Sequence, residues 1–89
     1  MKRVKIHVYG RVQGIFFRHF TRKKAESLGL NGWCRNENDS SVLIVAEGEG
    51  KNIEELIAWA HTGSPLAKVE KVEVNEEDYR GKEEGFEVR

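Results

Sequence analysis

The stretch "LNGWCRNENDSSVLIVAEG", residues 30–48, decides the architecture. Its first part, "LNGWCRN" (30–36), reads as a short strand, and its last, "SVLIVAEG" (41–48), as another. The polar "NEND" at 36–39 is turn material, so the two strands pair as a hairpin. Val42 to Ala46 are apolar on both faces, the pattern of a strand in the middle of a sheet.

Before the hairpin, Phe17, Phe20, Thr21, Ala25 and Leu28 can share one face of a helix. Gly29 ends it by taking the left-handed position, and the basic residues at 22–24 fall mostly outside the apolar face. Earlier still, "RVKIHVYG" (3–10) alternates Val4, Ile6 and Val8 with Lys5, His7 and Tyr9, a half-buried strand. After the hairpin, Ile53, Leu56, Ile57 and Ala60 follow helical spacing over 52–62. Asn52 can cap this helix with Glu55 three residues on, Gly63 ends it and Pro65 prevents resumption. "KVEKVEV" (68–74) predicts a fourth strand, 75–85 an acidic solvated loop, and "FEVR" (86–89) a short closing strand.

The order is β-α-β-β-α-β with one short strand added. Right-handed crossovers then predict an α+β, ferredoxin-like sandwich. Its sheet has four main strands plus a short fifth, mostly antiparallel, with two helices on one face. Many functions use that plan, so it names none.

At 89 residues the chain is expected to form a single domain over 1–89 with one modest core. Hydrophobic content of 38% and one proline fit a compact fold. No apolar run reaches the roughly 18 residues of a membrane span, and charged or polar residues break up the N-terminus, so no leader is expected. The single cysteine, Cys34, cannot close an internal disulfide. The expectation is a soluble, cytoplasmic monomer without membrane contact.

Net charge is zero but unevenly spread. Residues 1–35 hold nine Lys or Arg against one acid (+8), and residues 36–89 hold six against fourteen (−8). Two readings stay open: an anion-binding half, or two halves that neutralise each other on folding.

Between the first strand and the first helix lies "GRVQGIFFRHF" (10–20). Glycine lets backbone N–H groups converge there, the helix start adds unpaired donors, and Arg18 adds a planar fork matching two phosphate oxygens. Together they describe a cradle for a small dianion, which the phenylalanines would anchor to the core. The spacing is not that of the GxxxxGK[ST] nucleotide loop. On the two glycines alone, a structural turn is the simpler reading.

"GRVQGIFFR" (10–18) and "GWCRN" (32–36) strongly resemble the two signatures of the acylphosphatases, small ferredoxin-like hydrolases of carboxyl-phosphate anhydrides. The resemblance extends through "AEG" (46–48), the helix at 52–62, "GSP" (63–65) and the closing "FEVR". It implies that the backbone of Gly14, Ile15, Phe16, Phe17 and Arg18 holds the phosphoryl group. Arg18 would be its main charge partner, and Asn36 would position the attacking water. It also implies a small-molecule acyl phosphate as substrate, with no metal, no cofactor and no covalent enzyme intermediate. Two positions depart from the family pattern. Ile15 replaces the usual valine, and Ser40 the usual turn glycine; if that position needs a positive φ, serine costs about 1 kcal/mol or the turn changes type.

The chemistry suits these parts. A carboxylate leaves without help from a general acid, so positioning and charge stabilisation remain to be supplied. Arg18 with oriented amides supplies the charge term, and a carboxamide such as Asn36 can accept a hydrogen bond from water. The sequence shows no HxH, CxxC or HExxH cluster for a metal. Cys34 reads as a buried strand residue, His19 as a surface helix residue, and Trp33 and Trp59 as packing residues. The alternative is a non-catalytic module that binds RNA or senses phosphate. Against RNA, the chain lacks the glycine-aromatic octamer and a net positive charge, so no nucleic-acid partner is expected.

Overall fold

The alternation in the first hydrophobic run becomes strand β1 (Lys2–Arg11) in the computed structural model, which describes residues Met1–Arg89. Helix α1 (Phe17–Ser27), strands β2 (Asn31–Asn36) and β3 (Val42–Gly48), helix α2 (Gly50–Thr62), strand β4 (Lys68–Glu77) and the short β5 (Phe86–Val88) follow. One sheet holds all the strands in the order β4-β1-β3-β2-β5. Only β5 runs parallel to its neighbour, β2; the other pairs are antiparallel. The ferredoxin-like α+β class is as expected, with β3 central and the hairpin partners β2 and β3 in register from Asn36↔Val42 to Asn31↔Glu47.

A single core explains why both helices lie on one face. Val4, Ile6 and Val8 of β1 and Val42, Ile44 and Ala46 of β3 meet Phe17 and Ala25 of α1 and Ile53, Leu56 and Ala60 of α2 in one buried cluster. Each fully buried Val, Ile, Leu or Phe side chain there contributes about 1.5–3 kcal/mol relative to exposure. Leu43 and Val45 are also buried, so β3 is covered on both faces, as its unbroken apolar run predicts.

The far face of the sheet holds what the sequence did not indicate. Arg3, 3% exposed, reaches Glu47, 2% exposed, at 3.1 Å, Glu77 at 3.1 Å and Glu83 at 3.3 Å. Glu47 also accepts from the backbone N–H of Arg80 at 2.8 Å and of Gly81 at 3.2 Å. Burial works against ionising Glu47, but those amides and the Arg3 guanidinium overcome it and hold its carboxyl below the ordinary range. The acidic run is therefore not simply a solvated loop. Two of its carboxylates, with Glu47, neutralise a buried arginine.

Other expectations need correcting. Strand β4 runs to Glu77 instead of stopping at 74, because β1 offers pairing partners as far back as Arg3 and charge pairs such as Lys5–Glu77 (3.4 Å) line the extension. Helix α2 starts at Gly50, with Glu49 at the N-cap and no side-chain cap, so the proposed Asn52–Glu55 cap does not form. The Glu49 carbonyl already accepts from the N–H groups of Asn52 and Ile53, so the helix begins without a polar side chain. Phe16 does not anchor the loop: it is 76% exposed, and Phe17 alone is fully buried.

Candidate active site

The end of β1 is turned by a bulge. Pairing with β4 shifts between Tyr9 and Gly10, where Gly10 has φ 128 and any Cβ would collide with the Lys68 carbonyl. The chain then enters the loop before α1, where Gly14 (φ 77) and Phe16 (φ 61) both take left-handed backbone conformations. Glycine does so freely, whereas a phenylalanine there is strained by about 1–3 kcal/mol, a feature that clusters at functional sites.

This curl has one chemical consequence. From Gly14 through His19, no backbone N–H donates to any acceptor in the protein; the first return bond of the helix is Phe20 N–H to the Phe16 carbonyl at 3.1 Å. Successive free amides in a left-handed turn at a helix start form a concave donor surface for an anion. Phe17 fixes the position of that surface, with its ring packed against Trp59 at 5.5 Å between centroids.

An open cavity of about 430 Å³ lies beside this loop. Gly14, Phe16, Phe17 and Arg18 line it from the loop and α1, and Asn36 from the end of β2. Five of the six site residues expected from the sequence therefore meet around one hollow. Ile15 is the exception, since its side chain packs towards the core. Val12, His19, Arg22 and Val88 complete the lining and were not anticipated. Val88 could not be read from spacing, because β5 joins the site only by pairing beside Cys34 of β2. Arg22 did leave a signal, standing four residues after Arg18 on the same helix.

Three hydrogen bonds from Arg18 and Gln13 order this part of the cavity wall. Arg18 Nη1 donates to the main-chain oxygen of Arg89 at 2.6 Å, and no other protein acceptor engages its guanidinium. Gln13 Nε2 donates to the carbonyls of Glu37 (3.0 Å) and Ser41 (2.9 Å), tying the loop to the turn that follows Asn36. Ser40 lies in that turn with φ 72, so the positive φ is kept and serine bears the strain.

Charge is distributed to suit an anion. Ion pairs engage Lys2, Arg3, Lys5 and Arg35 of the basic first third, which is the mutual neutralisation considered above. Arg11, Arg18, Arg22, Lys23 and Lys24 have no acid within 4.0 Å, so the positive excess remains on and beside α1. Cys34 lies behind the site, its Sγ donating to the Arg18 carbonyl at 3.7 Å. Burial pushes its thiol up to about 12, against the opposing pull of Arg18 and Arg22, so it is no nucleophile near neutral pH.

The fold and this hollow define a small α+β sandwich with a cavity at the start of α1. Comparison with known proteins narrows this. A family model described as Acylphosphatase matches residues 4–88. The chain is 54% identical to an acylphosphatase of Rubrobacter xylanophilus, over 99% of this chain and 80% of that protein. It is 50% identical to one of Thermococcus kodakarensis, over 99% and 98% respectively. The crystal structure of acylphosphatase from Bacillus subtilis superposes with a TM-score of 0.96 at 34% identity, covering 100% of this chain and 99% of that one. The chain belongs to the acylphosphatase family and is an enzyme that hydrolyses small acyl phosphates.

Proposed function

We propose that hydrolysis proceeds by direct, metal-independent attack of water on a phosphoryl group held by the amides of the 14–18 loop and by Arg18. The free N–H groups from Gly14 to His19 carry this reading, because unpaired donors around a cavity call for an oxyanion. They and the guanidinium supply the charge stabilisation that dominates phosphoryl transfer. The Asn36 carboxamide accepts a hydrogen bond from the water and aims its oxygen at phosphorus. As the new P–O bond forms, the bond to the acyl oxygen breaks and its electron pair leaves with the carboxylate. The proton of the water passes to a phosphoryl oxygen, yielding carboxylate and dihydrogen phosphate. No general acid is needed, since a carboxylate is a stable leaving group.

The RNA-binding and phosphate-sensing alternatives are not favoured, since the family is one of acyl phosphate hydrolases. The test is release of phosphate from benzoyl phosphate, with phenyl phosphate as control and a chelator present. Turnover of the anhydride alone, undiminished by chelator, is expected. Arg18→Ala should lower kcat/KM by about a thousandfold or more. Asn36→Ala should chiefly lower kcat, by about a hundredfold. Equal turnover of both substrates, or unchanged rates in either variant, would refute the mechanism.

A further inference from the structure

Arg22 lines the cavity one helical turn beyond Arg18, on the same face of α1. Its Nε is enclosed by protein yet bonded to nothing. No carboxylate lies within 4.0 Å of its guanidinium, not even Glu26 one turn further along. Buried donors are almost always satisfied in native proteins, and an arginine keeps its charge at any working pH. An arginine on a cavity wall with no carboxylate partner in the protein therefore has the character of half an ion pair.

Its position says which half is missing. Free loop amides and Arg18 gather at the N-terminal end of α1. Four residues further on, Arg22 stands roughly 6 Å along the helix axis, past Arg18 as seen from the loop. Val12 and Val88 add apolar surface to the same cavity, where the acyl portion of a substrate held by the loop could rest. Resting on the reading of the site given above, we propose that Arg22 is a specificity-determining residue: it binds a second anionic group, a carboxylate or phosphate, carried at the far end of the acyl portion. The substrates preferred by this chain would then be acyl phosphates of doubly anionic acids.

Benzoyl phosphate and 3-carboxybenzoyl phosphate differ by one carboxylate and make a direct comparison. Wild type should show the lower KM for the carboxylated substrate, and added salt should shrink the preference. Arg22→Gln should raise that KM by about tenfold more than it raises the KM for benzoyl phosphate, with kcat moving little on either. Arg22→Lys should restore part of the preference, which a merely structural role would not allow. Equal effects of Arg22→Gln on both substrates, or no preference in wild type, would overturn the proposal while leaving acyl phosphate hydrolysis intact. Failure of wild type to cleave either compound would instead sink the reading of the site on which it rests.

Discussion

Glu47 offers a measurable test of how this small sheet is held together. It is 2% exposed, and its carboxylate meets the Arg3 guanidinium at 3.1 Å and the amides of Arg80 and Gly81. Glu47→Gln keeps the shape and an oxygen for the amides but removes the charge facing a buried arginine. Breaking a buried pair from one side typically costs about 3–5 kcal/mol, because the remaining charge is left uncompensated. Here the low end applies, about 3 kcal/mol, since Glu77 and Glu83 still reach Arg3. Domains of this size hold only about 5–15 kcal/mol in all, and the change corresponds to roughly 12–24 °C in Tm.

The sign with pH follows from the same contacts. The folded-state carboxyl lies below its ordinary value of 4.5, so its contribution is complete above that value and fades as pH falls through the depressed one. Urea titrations at pH 7 should show the full gap between wild type and Glu47→Gln, and titrations below about pH 4 a shrinking one. A double-mutant cycle with Arg3→Met should return a coupling of at least about 1.5 kcal/mol. Additive losses, or a gap that does not change with pH, would show that the pair is no more than a surface contact.

Three further outcomes are expected. Ser40→Gly should raise stability by about 0.5–1 kcal/mol, the left-handed strain at φ 72 relieved but partly offset by a freer unfolded chain, and a calorimetric scan showing a lower Tm would contradict this. Cys34 should resist iodoacetamide at pH 8 in the native protein and react fully in denaturant; rapid native labelling would mean that the thiol is neither buried nor raised. Gln13→Ala frees the turn after Asn36 from the phosphate loop, so kcat on benzoyl phosphate should fall by about tenfold, and an unchanged kcat would show that the two carbonyl contacts do not position Asn36.

Much of this molecule was legible from residue order alone, where neighbours along the chain settle the matter. The alternation of Val4, Ile6 and Val8, the helical spacing of Ile53, Leu56 and Ala60, and the two-faced apolar run at 42–46 each state which side of an element is buried. The glycines at 10 and 14 and Arg18 mark the loop between β1 and α1, but their spacing alone favours a structural turn, and only the resemblance to acylphosphatases reads an anion cradle there. Contacts made across the fold were not legible. Arg3 finds Glu77 and Glu83 only after β4 has zipped along β1, and an acidic run reads the same whether it meets water or a buried guanidinium. Val88 and the Arg89 oxygen reach the cavity only because β5 closes beside β2. Arg22 looked like one of three solvated basic residues until the packing of α1 enclosed its Nε. Periodicity along a chain encodes faces, but which face meets which partner is set by closing the sheet, and that is where the charges of this protein are divided between structure and site.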